Sequence, residues 1–444
     1  MTKRNNSTMA TTTAGARFRR PLPPSLRLAL AGLVAVIGLV GCAGTVASPA
    51  VSPSAVSSVT ASAIASSTPG PIETPTSQPS PTTPPPLTFV ATGSMHTARS
   101  RATATLLENG KVLIAGGTLD RGPTQEVYAT AELYDPATGK FSPTGSMSSA
   151  RSLATAALLL DGRVLIAGGE GCSKRPSCDV ASDSIQELAS AETYDPATGK
   201  FTATGSMTDA TVGENAVNLP DGRVLIAGFG LLAEVYDPSS GKFAGTTKQA
   251  GLQGATDTLL PNGKVLMAGG ADMAGLYNGA GLYDVASGKF TTVSLALPPD
   301  APMVKYQGAA ISRAAPTAAT LLKDGRVLLF GGGYLETYDP ASGACADAGF
   351  ISPAGKWNDA SATLMADGRV LYEGGELVEP VSGDDSKTNT AVLFDPTGGP
   401  SRTGSMRAAR VFETATLLPD GSVLVAGGQD DSGNPLAPAE LFKP

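Results

Sequence analysis

Arginine recurs at one position of a repeated motif in this chain, eleven residues before a turn glycine. The arginines at this position are Arg99, Arg151 and Arg410, and Arg101 and Arg407 lie close to two of them in sequence. A guanidinium group binds carboxylates through paired N–H donors, and it also satisfies backbone and carboxylate acceptors inside a protein. The five arginines are therefore candidates for binding an acidic ligand, with a structural role as the alternative.

Other chemistry is sparse in the sequence. His96 is the single histidine, and one imidazole holds a metal ion poorly, so we expect no metal site and no cofactor. The 39 acidic residues leave open a carboxylate pair of the kind that glycosidases use. No local pattern singles out such a pair, so the sequence nominates no catalytic residue.

The cysteines suggest a compartment outside the cytoplasm. Six basic residues and no acidic residue precede a short apolar run that ends at Gly41-Cys42, and this order is typical of a secretion signal. The end of the run resembles the lipobox of bacterial lipoproteins, which implies that residues 1–41 are removed and that Cys42 is lipidated. The alternative is an uncleaved signal anchor. In an oxidising compartment, Cys172 and Cys178 are expected to form a disulfide.

Residues 42–86 differ in composition from the rest of the chain. After Cys42 they are almost all Ser, Thr, Ala, Pro and Val, with Glu73 as the only charge, so they cannot bury enough apolar surface to fold. We expect a stalk that carries the folded part on the extracytoplasmic side of a membrane. The formal net charge of −7 disfavours nucleic-acid binding, which requires a basic face, and we expect a monomer.

A hairpin motif recurs seven times between residues 87 and 444. Its turn glycines each follow Asp or Asn, a pairing typical of two-residue type I′ turns, and a glycine pair generally follows the second strand. A third strand ends at a Tyr-Asp motif, and a fourth follows a second tight turn. The turn glycines are Gly110, Gly162, Gly222, Gly263, Gly325, Gly368 and Gly421.

These residues resemble the kelch repeat, whose propellers include the core of galactose oxidase. The resemblance rests on the glycine pair and on an aromatic residue seven positions after the tyrosine, as in Tyr134 and Phe141. It implies an all-β fold: a seven-bladed β-propeller of four-stranded kelch-like blades over residues 87–444. The last repeat lacks its fourth strand, so residues 87–95 are expected to supply it and to close the ring. A copper oxidase of the galactose oxidase type needs two histidines, so the presence of a single histidine excludes an oxidase of this type.

The alternation of strands places the long loops and the segments between blades on one face, which we call the long-loop face. The three repeated arginines fall in blades one, two and seven, which are neighbours in a closed ring. We expect a binding module for a glycan or protein on the long-loop face rather than an enzyme. The alternative is an extracytoplasmic carbohydrate-processing enzyme, a hydrolase or isomerase acting on an acidic sugar at the pore mouth.

Overall fold

The computed structural model describes residues 87–444 with short gaps. The predicted signal peptide, the lipidation site at Cys42 and the predicted stalk lie outside the described residues. The gaps fall at 122–123, 173–176, 180–184, 214, 228–232, 247–254, 270, 273–274, 277–278, 295–303, 307–308, 312–315, 352–355 and 379–384.

Seven four-stranded antiparallel sheets form the blades, numbered here in chain order. The innermost strands are Thr103–Leu106, Thr155–Leu158, Asn215–Asn218, Thr256–Leu259, Ala318–Leu321, Ser361–Leu364 and Val411–Leu417. The second strands are Val112–Ala115, Val164–Ala167, Val224–Ala227, Lys264–Ala268, Val327–Gly331, Val370–Glu373 and Val423–Gln429. The third strands are Ala131–Asp135, Ala191–Asp195, Glu234–Asp237, Gly279–Asp284, Tyr334–Asp339, Ala391–Asp395 and Pro438–Lys443. The outermost strands are Lys140–Pro143, Lys200–Ala203, Lys242–Gly245, Lys289–Ser294, Ala344–Phe350, Gly399–Arg402 and, in blade seven, Thr88–Ser94.

The blades succeed one another around a common axis. Each innermost strand contacts the innermost strand of the next blade, and that of blade seven contacts that of blade one. Buried apolar side chains fill the seams between neighbouring blades, including the seam between blades seven and one. The second strands are buried on both faces, which explains their uninterrupted apolar sequence. The predicted all-β propeller fold is confirmed.

The first described strand belongs to the last blade. Thr88–Ser94 pairs antiparallel with Pro438–Lys443, with Thr88 opposite Lys443. The ring of Phe89 lies 5.2 Å from that of Phe442. The N-terminal strand therefore completes the sheet whose other three strands come from the C-terminus.

The hairpin turns differ from the type I′ turns expected from the sequence. In the first hairpin only Gly110 has a positive φ, of 79°, whereas a type I′ turn requires positive φ at two residues. Its N–H donates to the carbonyl of Leu107, and the N–H of Leu107 donates to the carbonyl of Lys111. The loop is therefore longer than a two-residue turn, and only its last residue, the glycine, has left-handed backbone dihedral angles. The preceding Asn or Asp keeps a negative φ.

The glycine pairs mark close approaches of backbone. A Cβ atom at Gly117 would lie 2.6 Å from the carbonyl oxygen of Ser100, and φ at Gly117 is 95°. Any other residue would meet backbone that cannot move aside. In blade one, the second glycine of the pair thus ends the second strand tightly against the residues just before its own blade's innermost strand.

Additional short strands lie on the long-loop face. Cys172 and Cys178 form the predicted disulfide, with Cα atoms 6.0 Å apart. The strand that contains Cys178, Ser177–Asp179, pairs with Thr124–Tyr128 of blade one. The short strands are Thr118–Arg121, Thr124–Tyr128, Ala150–Ser152, Glu170–Cys172, Ser177–Asp179, Gln186–Glu187, Ala271–Asp272, Gly275–Leu276, Val304–Tyr306, Ala309–Ile311, Lys356–Asn358, Glu376–Val378 and Asp385–Lys387. In the part of the chain that the structure describes, no helix is long and apolar enough to span a membrane.

Removing residues 87–94 should strongly lower the melting temperature. The deletion leaves Pro438–Lys443 as an unpaired edge and exposes the ring of Phe442, which is buried in the intact fold. Differential scanning calorimetry of the full chain and of a variant lacking only these residues measures the effect. Deleting an equal number of residues from the predicted stalk serves as the control, and equal melting temperatures for the two deletions would contradict this role of the strand.

Candidate functional site

The three repeated arginines lie inside the blades. Arg99 is 1% exposed and donates through Nη1 to the carbonyls of Gly116, at 2.7 Å, and Thr130, at 2.9 Å. Its Nη2 lies 3.1 Å from Oε1 of Glu132. Arg151 and Arg410 are equally buried and bind the equivalent acceptors of their own blades. The acceptors of Arg151 are Gly168, Ser190 and Glu192. Those of Arg410 are Gly427, Pro438 and Glu440.

The partner glutamates also hold the segments that connect the blades. Glu132 accepts hydrogen bonds from the backbone N–H groups of His96 and Thr97. Burial opposes ionisation of Glu132, but the hydrogen bonds from His96 and the charge of Arg99 outweigh it and lower its pKa. Burial also lowers the pKa of the Arg99 guanidinium. Arginine, glutamate and linker thus form one buried polar unit in a blade.

This geometry favours the structural alternative for the three buried arginines, because their guanidinium groups face backbone and carboxylates rather than solvent. Arg407 is exposed, and its backbone N–H donates to Glu440. Arg101 is half-buried, with its guanidinium carbon 4.3 Å from the centre of the Phe412 ring. The structure therefore separates Arg101 from the buried arginines with which the sequence grouped it.

A chain of backbone hydrogen bonds joins neighbouring blades just before the innermost strands. The N–H of Arg101 donates to the carbonyl of Phe412, that of Leu153 to Arg101, and that of Gly213 to Leu153. These residues have positive φ, as does the equivalent Asp359 of blade six. We call Arg101, Leu153, Gly213, Asp359 and Phe412 the inner ring. Among the described residues, no such bond joins Phe412 to Asp359, so the chain of bonds is interrupted between blades six and seven.

Blade six lacks the buried ion pair of blades one, two and seven. Trp357 occupies the arginine position and donates through Nε1 to the carbonyl of Gly374, at 2.6 Å. Val392 occupies the glutamate position and is 3% exposed. Tryptophan therefore makes the same backbone contact as the arginines without bringing a positive charge into the blade.

Glu373 ends the second strand of blade six. It is 0% exposed, and neither of its carboxylate oxygens has a hydrogen-bond partner among the described residues. Burial and the neighbouring charge of Glu413 favour the protonated form, although Arg410 opposes this. The pKa of Glu373 is consequently raised well above its ordinary value.

Glu413 approaches Glu373 from blade seven. Its side chain lies against Gly374, so a Cβ atom at that glycine would overlap the carboxylate. Ser361 Oγ lies 3.4 Å from Glu413 Oε1, and the backbone of Ser361 pairs with that of Glu373. Burial raises the pKa of Glu413 to about 8. The charge of the nearby Asp359 raises the pKa of Glu413 further.

These carboxyl groups form the candidate site, at the end of the seam between blades six and seven on the long-loop face. They run from the exposed Asp359 through Glu413, 9% exposed, to the fully buried Glu373. Carboxyl groups that retain a proton near neutral pH are suited to general acid–base catalysis. The arrangement can therefore exchange protons with a molecule that reaches Asp359 and Glu413.

The sequence contained a signal for one residue of this site. Glu373 stands where the other blades have a small or apolar residue: Ala115, Ala167, Ala227, Ala268, Phe330 and Ala426. The position of Glu413 is less distinctive, since four blades have alanine there, blade five has Thr317 and blade three has Glu214. A charged residue at a position that the other repeats keep uncharged is the departure that marks Glu373.

A metal centre does not fit the described residues. They contain no group of three or more His, Cys, Asp and Glu side chains that could hold a metal ion. His96 is largely exposed, and its Nδ1 lies 2.9 Å from Glu132. Its place in a connecting segment gives it no partner for binding copper.

Comparison with known proteins supports the fold. No family model and no curated protein sequence matches the chain. A solved structure described as a novel fungal alcohol oxidase with catalytic diversity among the AA5 family, in complex with copper, matches with a TM-score of 0.57 and 18% identity, over 80% of this chain and 75% of that one. The structure of YjhT matches with a TM-score of 0.48 and 13% identity, over 78% of this chain and 95% of that one.

The first of these matches corrects one expectation from the sequence. We expected that the chain is not an enzyme, because no titratable cluster was apparent in the repeats. The fungal protein that shares its fold is an alcohol oxidase, and this finding overturns that expectation. The acidic cluster of the candidate site was not apparent in the sequence because it forms across a seam between two blades, from residues that are far apart in the chain.

Replacing Arg99 with methionine should lower the free energy of unfolding by about 3–5 kcal/mol, because the Glu132 carboxylate would stay buried without its cation. Arg163→Met is the matched control. It removes an arginine from an exposed pair with Asp161 and should cost about 1 kcal/mol or less. Urea unfolding of both variants measures the difference, and similar losses for both would show that the buried pair has no special role.

The protonated glutamates should make the protein less stable as pH rises. Unfolded glutamate ionises near 4.5, whereas folded Glu413 ionises near 8. Between these values the folded state binds more protons, so the free energy of unfolding falls by about 1.4 kcal/mol per pH unit for each proton. Urea unfolding from pH 5 to 8 should show a shallower decline for Glu413→Gln than for the natural chain, and parallel curves would contradict the assignment.

Proposed function

We propose that this protein is a carbohydrate-processing enzyme whose site lies at the end of the seam between blades six and seven on the long-loop face. The reaction is acid–base chemistry at an anomeric carbon, either hydrolysis or isomerisation. The observation that carries the proposal is the pair of carboxyl groups, Glu373 and Glu413, which are enclosed together and have no ion-pair partner among the described residues. A buried unpaired carboxyl group is costly, and proteins retain such groups mainly where chemistry uses them.

The geometry assigns different roles to the carboxyl groups. Glu413 lies at the boundary between solvent and interior, so it is placed to donate its proton to the oxygen that leaves the anomeric carbon. Asp359 lies at the exposed edge, so it is placed to accept a proton from water in hydrolysis, or from the anomeric hydroxyl in isomerisation. Proton exchange with solvent then restores both groups.

Glu373 lies too deep to meet a substrate and acts as a positioning residue. Its protonated carboxyl group occupies the space beside Glu413 without adding a counter-charge. Trp357 supports this arrangement, since it replaces an arginine whose charge would favour ionisation of the neighbouring carboxyl groups. The alcohol oxidase on the same fold supports the proposal only in that such a propeller carries catalysis.

We also propose that the enzyme works outside the cytoplasm, tethered through Cys42. The Cys172–Cys178 disulfide supports this location, because disulfides persist in oxidising compartments. The apolar run before Cys42 and the Ser/Thr/Pro-rich composition of residues 43–86 support a membrane anchor and a stalk.

Anomeric-proton NMR tests the reaction. The full chain should accelerate cleavage or anomer exchange in a panel of neutral and uronic-acid oligosaccharides. Cleavage produces new reducing-end signals, whereas anomer exchange is seen as exchange between the α and β signals. Glu413→Gln keeps the shape of the side chain but removes the acid. It should reduce the rate by about 10²- to 10⁴-fold.

Glu336→Gln is the matched control for this experiment. Glu336 is also a buried carboxyl group, 5% exposed, and burial raises its pKa to about 7, but it lies on the third strand of blade five. Its substitution should leave the rate unchanged. No acceleration by the natural chain, or equal rates for Glu413→Gln and the natural chain, would refute the proposed function.

A further inference from the structure

One position of the repeat, seven residues before the turn glycine, carries a hydroxyl group in several blades. In blades one, four and seven this hydroxyl donates to the backbone carbonyl of the residue opposite it on the second strand. In these three blades the side chain therefore bonds within its own blade. The pairs are Thr103 with Ala115, Thr256 with Ala268 and Thr414 with Ala426, at 3.4, 3.3 and 3.3 Å.

Ser361 occupies this position in blade six, and its hydroxyl points in a different direction. It donates to Oε1 of Glu413 in blade seven, at 3.4 Å. Asn215 of blade three also reaches across a seam, since its Nδ2 donates to the carbonyl of Ala255 in blade four, at 2.6 Å. Ala255 and Glu413 stand at the same position of their repeats. A short polar side chain at the position of Ser361 can therefore hold this point of the next blade.

The contact with Ser361 matters because the carboxyl group of Glu413 has few other ties. Its Oε2 has no hydrogen-bond partner among the described residues. A hydrogen bond to Oε1 fixes the plane of the carboxyl group, and a fixed orientation speeds proton transfer to one reacting atom. Burial raises the pKa of Glu413, and the hydroxyl of Ser361 opposes that effect, since a donor stabilises the ionised form.

We propose that Ser361 is a positioning residue for the reaction. By donating across the seam between blades six and seven, it fixes the orientation of the Glu413 carboxyl group for proton transfer. This inference deepens the proposed function and rests on it. Ser361 acts on the reaction through Glu413 and needs no contact with the substrate.

Carbon-13 NMR of the full chain, with glutamate labelled at Cδ, follows the titration of Glu413, and the Glu413→Gln variant identifies its signal. Glu373, Asp359 and Arg410 are the other titratable groups that face Glu413 in the described part of the chain. Ser361→Ala leaves all three in place, so a change in the titration reports the hydroxyl. The pKa of Glu413 should be higher in this variant, because the carboxylate loses a donor while its burial remains.

The anomeric-proton assay measures the effect of the same variant on the reaction. Ser361→Ala should lower kcat about 3- to 10-fold with little change in KM, which corresponds to the loss of one hydrogen bond. The basic limb of the pH–rate profile should move to higher pH, because Glu413 must be protonated to act as the acid and would retain its proton longer. A purely structural role of Ser361 would not move this limb.

Thr103→Ala is the matched control. It removes a hydroxyl from the same position in blade one, where the bond stays within the blade, and should change neither the titration of Glu413 nor the pH–rate profile. Alanine is compatible with this position, since Ala318 occupies it in a regular strand of blade five. An unchanged titration or an unchanged profile in Ser361→Ala, or equal shifts in Thr103→Ala, would overturn the role of Ser361. If the natural chain accelerates no sugar reaction, the proposed function fails, and the NMR titration alone still decides whether Ser361 holds the carboxyl group of Glu413.

Discussion

The antiparallel pairing of Thr88–Ser94 with Pro438–Lys443 is the interaction on which the rest of the structure depends. Every blade buries its apolar strands against two neighbours, so an open ring would leave two faces uncovered. The pairing completes blade seven, which forms one seam with blade six and another with blade one. The candidate site lies at the end of the seam between blades six and seven, so the chemistry proposed for this protein requires that blade seven is complete and that the two ends of the fold meet.

A second constraint acts within each blade. In blades one, two and seven, a buried arginine donates to the glycine carbonyl and pairs with a buried glutamate, which accepts hydrogen bonds from the connecting segment. Blade six uses Trp357 and Val392 at the same positions. Trp357 thus keeps the backbone contact without the positive charge that an arginine would bring. The enclosed Glu373 is left without an ion pair among the described residues, and burial together with the neighbouring Glu413 raises its pKa.

Most of the fold could be predicted from the sequence, because its signals are local. A turn glycine, a run of buried residues and a glycine pair recur in each repeat, and each dictates the conformation of its own few residues. The site could not be found in the same way. Glu373 and Glu413 are 40 positions apart in the chain and meet only when two blades pack. The buried role of Arg99 was also open, because its partner Glu132 lies on a third strand whose register is set by the assembled blade.

The outermost position of Thr88–Ser94 has a mechanical consequence. Any force that reaches the fold through the preceding chain acts first on this edge strand, which pairs antiparallel with Pro438–Lys443. The carbonyl of Leu87 is bonded to Gly404 of blade six, the Phe89 and Phe442 rings are in contact, and Thr92 is bonded to Tyr134 of blade one. These contacts tie the first strand to both neighbouring blades, so traction at the N-terminus is distributed over three of the seven blades before closure is lost.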